Sequence, residues 1–229
     1  MSPLGDSALL LSFGNVINRE FNQEIIAITK HFSTHPFFGL LDIVPAYSSI
    51  TFCFDPYAIH RSIHRTTTVF DWVRQQVAEH LPVIKPVADH SNKRVEIPVC
   101  YSTELNNDLL AISSTTGLSA AEIVHLHSSG TYYVYMLGFL PGFAYMGEVV
   151  ATIELPRKAN PGKVKAGSVA IAGKQTGIYP LDSFGGWNVL GHTPIKMFNS
   201  LNQDPCYLKA GQEVKFYEIG LPEYRQLTT

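Results

Sequence analysis

The sequence predicts an α+β protein in which a small α/β sandwich of ferredoxin-like type is followed by a β-barrel or β-sandwich. In the N-terminal part, short apolar runs alternate with stretches whose apolar residues recur at helical spacing. After residue 131, glycine, proline and aromatic residues recur every few positions between short β-rich runs. Residues 82–93 lie between these parts and lack any periodicity, which is typical of a linker. We therefore expect two domains, residues 1–84 and 85–229.

The elements of the first domain follow from its apolar pattern. An apolar run predicts a buried strand over residues 8–13, and two more strands are predicted over residues 40–44 and 50–54. A first helix begins after Asn18, a good N-cap, and a second is expected over residues 58–80. The resulting β-α-β-β-α order is that of a ferredoxin-like sandwich.

The second domain begins with a strand over residues 94–100, in which apolar residues alternate. Ser119 and Glu122 then have the spacing of a capping box, in which each side chain bonds a free backbone N–H at the start of a helix. The remaining sequence has many turns between short β-rich runs, and it favours a barrel or sandwich over a helical layer.

Composition excludes several classes of protein. Hydrophobic residues make up 45% of the 229 positions and the net charge is -2, so the chain is neither disordered nor basic enough to grip nucleic acid. The most apolar stretch, residues 132–150, is interrupted by Pro141 and Glu148, and no membrane segment or leader is expected. We expect a cytoplasmic protein. Because only 16% of residues are charged, a partner protein is expected to cover part of its surface.

The patterns that could bind a metal or nucleotide are weak. His60 and His64 share a helix face but lack a third ligand, so a solvated face is favoured. His125 and His127 lie two apart and point to different faces. Residues 167–174 faintly resemble a phosphate loop, but the glycine spacing is one residue too long and Gln175 replaces the Ser or Thr. We expect no metal and no cofactor in this chain.

Two stretches are denser in special residues than a scaffold requires: residues 138–147, and residues 166–180 together with the glycine-rich segment that follows. Glycines permit close backbone approach, and aromatic rings offer flat walls to a ligand or partner. Several side chains could present donors to a carboxylate or amide: Lys174, Gln175, Thr176, Tyr179 and Asn188. The candidate binding residues around them are Phe139, Pro141, Gly142, Phe143, Tyr145, Trp187 and His192. The alternative, that these glycines and prolines only form barrel corners, carries equal weight.

These stretches also resemble a known family. GFLPGFAYMG, AGSVAIAGKQTGIYP and GGWNVLGHTP, with the earlier GDSALLLSFG and VPAYSSI, are similar to the KipI family in the same order along the chain. That family includes the B subunit of bacterial 5-oxoprolinase and the first half of the carboxyltransferase part of urea carboxylase, often labelled allophanate hydrolase subunit 1. The resemblance implies a C-terminal cyclophilin-like β-barrel. It also implies a KipA-like partner, the C-type subunit of 5-oxoprolinase, whose own barrel completes the site.

The resemblance implies one subunit of an ATP-dependent hydrolase that opens 5-oxo-L-proline to L-glutamate. A protein like the A-type subunit of 5-oxoprolinase is a further expected partner, and ATP is expected on one of the partners. Lys174, Gln175 and Thr176 are the candidate donors to the oxyanion, with Tyr179 orienting them. Two other functions stay open: inhibition of a sensor histidine kinase, and half of a biotin-dependent carboxyltransferase whose biotin must arrive on a partner.

Three positions depart from the family's usual pattern. Ser48, Gly162 and His192 stand where arginine is usual. If those arginines bind an anionic substrate or a partner, the loss of their bidentate contacts alters specificity.

Overall fold

The computed structural model describes residues 1–63, 67–84, 94–105 and 108–228. Within it the chain forms two compact units, unit 1 (residues 1–89) and unit 2 (residues 90–229). The domain boundary predicted between residues 84 and 85 falls at the edge of an undescribed segment, so it stays a prediction. His64 of the spaced histidine pair also lies outside the described residues.

Unit 1 is built on an antiparallel sheet of four strands in the order β1-β2-β4-β3. Its elements are β1 (Ser2–Pro3), β2 (Ala8–Ser12), α1 (Arg19–Thr34), β3 (Leu40–Pro45), β4 (Ser49–Phe54), α2 (Pro56–Ser62), α3 (Val69–His80) and a 3-10 turn (Leu81–Val83). Helix α1 begins directly after Asn18, as predicted, and the Asn18 side chain caps it by accepting a hydrogen bond from the Phe21 N–H at 3.0 Å. Its apolar stripe packs with both central strands in one core.

The order β2-β4-β3, with α1 connecting β2 to β3, matches the first part of the predicted ferredoxin-like topology. The position beside β2, however, is taken by β1 from the N-terminus rather than by a strand that follows the last helix. A mixed α/β arrangement is therefore established, and the finer ferredoxin-like assignment stays a prediction.

The single helix predicted over residues 58–80 is wrong. Helix α2 ends at Ser62, the backbone of the following Ile63 is extended, and α3 begins after Thr68. The Thr68 hydroxyl accepts from the Asp71 N–H at 3.0 Å and so provides an N-cap. Apolar spacing continues across the break, which is why periodicity alone joined the two helices. The run of threonines before α3 carried the contrary signal, since threonine favours caps over helix interiors.

Unit 2 contains most of the strands. Its elements are β5 (Val95–Val99), a 3-10 turn (Thr103–Leu105), α4 (Leu109–Thr116), α5 (Ala120–Ser129), β6 (Tyr132–Leu137), β7 (Ala144–Gly147), a 3-10 turn (Ala151–Ile153), β8 (Gly162–Val164), β9 (Ser168–Ala172), β10 (Gln175–Ile178), β11 (Ser183–Gly185), β12 (Asn188–His192), β13 (Glu213–Glu218) and α6 (Leu221–Leu227). The capping box predicted for α5 is confirmed, because both of its reciprocal hydrogen bonds are present.

The main sheet of unit 2 is nearly closed on itself. Seven strands run in the order β12-β9-β10-β7-β6-β13-β5, and β13 with β5 is its parallel pair. Cys100, directly after β5, bridges to His192 at the end of β12 through two backbone hydrogen bonds of 2.8 and 2.9 Å. The first and last strands therefore meet at one point, and the predicted barrel-like sheet is confirmed. Strands β8 and β11 form a separate ribbon of two strands.

The two faces of this sheet bury different cores. One face, here called the inner face, packs in the large apolar core that also holds residues of α4 and α5. Its side chains include Val169, Ile171 and Ile178. Ala170 and Ala172 lie in a smaller core rich in aromatic residues, here called the outer face. This alternation follows from the two-residue period of strands β9 and β10.

Across the described residues, no helix by itself has the length and apolarity to cross a membrane. Helices α4 and α5 satisfy that criterion only when taken as a pair, and they are bent by 97° relative to each other.

Candidate functional site

The segment most dense in predicted site residues folds as a tight hairpin between β9 and β10. Gly173, with φ of +54°, and Lys174 form its turn. The turn is anchored on both sides, because the Gly173 N–H donates to the Leu155 carbonyl at 2.6 Å and the Lys174 carbonyl accepts from the Val149 N–H at 2.9 Å. The Lys174 side chain itself is exposed, and among the described residues it has no ion pair. A fixed backbone thus presents a free ammonium group.

Gln175 and Thr176 lie on opposite faces of the sheet. Gln175 pairs with Ala172, an outer-face residue, whereas Thr176 pairs with Ile171 of the inner core. Side chains directly opposite each other in a sheet share a face. The structure therefore brings Lys174 and Gln175 to the turn and outer face, and it places Thr176 on the other side.

Thr176 is fully buried and belongs to a chain of hydrogen bonds. Its hydroxyl lies 2.9 Å from Nε2 of His127 and donates to the Ala170 carbonyl at 3.2 Å. Since the hydroxyl proton is used on Ala170, His127 Nε2 carries a proton and donates to Thr176. Nδ1 of His127 is then the acceptor for the hydroxyl of Tyr101, 2.9 Å away. We call Tyr101, His127 and Thr176 the buried relay.

The surroundings of His127 keep its ring neutral. The residue is buried, and burial lowers its pKa from 6.5 to about 3. Its ring stacks on Phe216 at 4.7 Å and on Tyr132 at 5.3 Å between centroids. The relay holds β10 to α5 and uses every polar atom of the imidazole. The sequence analysis did not predict the relay. The available signal was that His127 lies four residues after Ile123, and therefore on the buried side of α5.

The aromatic residues predicted as a binding surface meet on the outer face. Phe143, Tyr145, Tyr179 and Trp187, here called the aromatic cluster, pack with centroid distances of 4.7 to 5.8 Å. Three of them are at most 5% exposed, and Tyr145 is half-buried. Most of the cluster is therefore a small buried core. Within the cluster, Tyr145 is the side chain that reaches solvent.

The loop before β7 borders this cluster. Phe139 is 65% exposed and packs edge-on against Phe143 at 5.8 Å. Its φ of +69° lies in the left-handed region, which is uncommon for a residue with a side chain. Pro141 is exposed, and Gly142 also has a positive φ, with the Met197 carbonyl 2.8 Å from where a Cβ would stand. Only glycine fits there without moving the backbone.

Asn188 and His192 both have partners inside the chain. The Asn188 amide donates to the Pro156 carbonyl at 2.9 Å and so ties the preceding loop to the sheet. Nε2 of His192 lies 3.0 Å from the Ser168 hydroxyl, and burial lowers the pKa of His192. Nδ1 of His192 has no hydrogen-bond partner among the described residues.

Arg157 is a candidate that the sequence did not single out. Burial raises the pKa of both Tyr145 and Tyr179, and the positive charge of Arg157 opposes that shift at each phenol. A hydrogen bond from the Trp187 backbone opposes it further at Tyr179. Both phenols are therefore neutral at pH 7. A single arginine in a loop carries no motif, and only the folded chain brings it beside the cluster.

Ser48 and Gly162, the other two positions where the family usually has arginine, differ in their surroundings. In unit 1, the Ser48 hydroxyl donates to the Gly14 carbonyl at 3.0 Å. Gly162 begins β8, and a Cβ there would meet open space. The fold accommodates a side chain at Gly162.

A cleft of about 510 Å³ lies elsewhere in unit 2, at the carboxyl ends of β5 and β13 and beside α5. No residue predicted for the site lines it. The lining residues are Cys100, Tyr101, Ser102, Glu104, Leu109, Ala120, Ala121, Val124, His125, Ser128, Glu218, Ile219, Gly220 and Leu221. Among the residues that the structure describes, no cluster of three His, Cys, Asp or Glu side chains could hold a metal ion.

The architecture of unit 2 is a nearly closed sheet of seven strands that buries a different core on each of its two faces. Residues 1–208 match the family described as the carboxyltransferase domain, subdomain C and D, and the chain belongs to that family. The B subunit of 5-oxoprolinase from Bacillus subtilis (strain 168) is 38% identical over 223 residues, which are 96% of this chain and 93% of that protein. The resemblance inferred from the sequence motifs is confirmed.

Solved structures agree with this assignment. The crystal structure of TTHA0988 matches with a TM-score of 0.78 and 36% identity, covering 93% of this chain and 40% of that one. This chain thus spans about two fifths of that protein's length. The K. lactis urea amidolyase matches with a TM-score of 0.71 over 96% of this chain and 15% of that one. At 15% identity the latter shows a shared fold alone.

Proposed function

We propose that this chain is the B subunit of an ATP-dependent 5-oxoprolinase, which opens 5-oxo-L-proline to L-glutamate together with partner subunits. The observation that carries the proposal is the identity to the B subunit of a bacterial 5-oxoprolinase over nearly the full length of both chains. Within the proposal, unit 2 is a cyclophilin-like barrel, unit 1 is a ferredoxin-like sandwich, and the assembled enzyme works in the cytoplasm.

The chemistry sets what the site must do. A five-membered lactam is a stable amide, and activation of its carbonyl by phosphorylation, followed by attack of water, is a sensible route. Negative charge then develops on oxygen, and preorganised donors stabilise it most effectively. The Lys174 ammonium and the Gln175 amide, held at the anchored turn and outer face, are the donors that we assign. Thr176 supports them indirectly, since its hydroxyl is used within the buried relay.

The remaining components lie outside this chain. We place ATP on a partner, because the segment that resembles a phosphate loop is the β9–β10 hairpin and not a turn leading into a helix. The partners are the A-type subunit and the KipA-like, C-type subunit of the enzyme. The C-type partner covers the outer face, where Phe139 exposes 65% of its surface.

Reconstitution tests this function. The chain is co-expressed with A-type and C-type 5-oxoprolinase subunits, and glutamate release from 5-oxoproline is measured with and without ATP. We expect ATP-dependent release only from the complete mixture, and none from this chain alone. Full activity of a mixture that lacks this chain would contradict the proposal. So would inhibition of a histidine kinase, or carboxyl transfer from biotin, in place of lactam cleavage.

A further inference from the structure

Basic side chains of unit 2 differ in whether an acidic side chain pairs with them. Lys158 pairs with Asp108 at 2.8 Å, and Lys165 pairs with Asp182 at 3.1 Å. Arg157 is exposed, and its side chain forms no ion pair or hydrogen bond within the described part of the chain. An arginine presents five donors in a planar fork, so an unpaired one is available to an anion.

The backbone around Arg157 is held on three sides, which makes its position reproducible. The Leu155 carbonyl accepts from Gly173 at the hairpin turn, and the Pro156 carbonyl accepts from the Asn188 amide at 2.9 Å. The Lys158 N–H donates to the Gly186 carbonyl at 2.7 Å. Arg157 is therefore fixed between the turn that carries Lys174 and the segment that carries Trp187.

Arg157 lies beside a glycine segment and near two tyrosines of the aromatic cluster. A Cβ at Gly186 would lie 3.9 Å from the Arg157 Cβ, so the arginine stem runs beside the Gly185–Gly186 segment. Gly186 directly precedes Trp187 of the aromatic cluster, and the positive charge of Arg157 lowers the pKa of the Tyr145 and Tyr179 phenols against the larger effect of burial. Because Arg157 is exposed, an anion can reach its guanidinium from solvent.

We propose that Arg157 binds the carboxylate of the substrate, while the lactam ring lies toward the half-buried Tyr145 and its carbonyl toward the hairpin turn. This inference rests on the proposed function and deepens it. A planar guanidinium matches a carboxylate with two parallel hydrogen bonds, a fit that a lysine ammonium cannot reproduce. Arg157 thereby selects cyclic amides that carry a carboxylate over neutral ones.

The test uses the reconstituted complex with Arg157→Gln and Arg157→Lys. A lost hydrogen bond to a charged group corresponds to about a 10- to 100-fold change in affinity. We expect Arg157→Gln to raise KM for 5-oxoproline by about that factor with little change in kcat. It should also abolish the preference for 5-oxoproline over 2-pyrrolidinone, the same lactam without a carboxylate. Arg157→Lys should recover only part of the loss, and an unchanged KM would overturn the inference.

Two controls separate this inference from the proposed function and from folding. Arg61→Gln removes another exposed arginine beside a tyrosine ring, in unit 1, and should leave KM unchanged. Calorimetric binding of 5-oxoproline to the complex provides a readout that needs no turnover. If the wild-type complex is inactive yet binds 5-oxoproline and Arg157→Gln loses that binding, the proposed function fails and the assignment of Arg157 stands. Failure of the wild-type complex to bind 5-oxoproline, or binding that Arg157→Gln does not weaken, overturns the assignment.

Discussion

Replacement of Thr176 by valine tests the buried relay directly. Valine has the shape of threonine and is more apolar, so a purely hydrophobic view of this fully buried position predicts equal or greater stability. The relay predicts the opposite. Without the hydroxyl, the His127 Nε2–H loses its acceptor, 2.9 Å away, and the Ala170 carbonyl loses its side-chain donor.

The size of the effect follows from these two lost bonds. An unsatisfied buried donor costs about 1–3 kcal/mol, so we expect Thr176→Val to destabilise unit 2 by about 2 kcal/mol. Thr176→Ser keeps the hydroxyl and removes one methyl group, at a cost of about 1 kcal/mol. The order of stability should therefore be threonine, then serine, then valine.

Urea unfolding measures this order. Trp187 reports on unit 2, and a Trp72→Phe background removes the signal of the tryptophan in unit 1. In a double-mutant cycle, His127→Phe keeps the stacking ring but removes the orphaned N–H, so the cost of Thr176→Val should shrink by about 1–2 kcal/mol. A valine variant as stable as the wild type, or additive effects in the cycle, would refute the relay.

Three further predictions concern charge, space and pH. Lys174→Ala should leave folding and co-purification intact while it lowers activity of the assembled complex at least about tenfold, measured as glutamate release; near-full activity would remove Lys174 from the site. Gly162→Ala should change the free energy of unfolding by less than about 0.5 kcal/mol, because a Cβ at this position meets open space. Gly177→Ala should lower that free energy by about 1–3 kcal/mol, because a Cβ at Gly177 would lie 2.9 Å from Phe143 and 3.0 Å from the Ala144 carbonyl. Equal urea midpoints of the two variants would contradict this. Burial lowers the pKa of His127 from 6.5 to about 3, so the unfolded chain binds the proton first and stability falls as pH drops below about 6.5. At pH 5 the loss through this group is about 2 kcal/mol, and His127→Gln should remove it; parallel pH profiles of the two proteins would exclude that contribution.

Local signals determined much of the architecture. The capping box at Ser119 and Glu122, the cap at Asn18 and the apolar face of α1 depend on residues within one or two helical turns, so the sequence alone specifies them. The family could likewise be recognised from the sequence, because its motifs are short contiguous stretches of glycines and aromatic residues at fixed spacing. The break between α2 and α3 was missed because apolar periodicity runs on through it.

The membership of the candidate site was decided by tertiary structure. The sequence placed Lys174, Gln175 and Thr176 together because they are consecutive, but strand alternation sends the last two to opposite faces of the sheet. Arg157 and His127 carry no local motif. Arg157 reaches the aromatic cluster because distant segments anchor its loop, and His127 meets Thr176 across 49 residues of sequence. Long-range pairing of this kind depends on which strands become neighbours, and that is set by the packing of the whole nearly closed sheet and not by any short stretch of the chain.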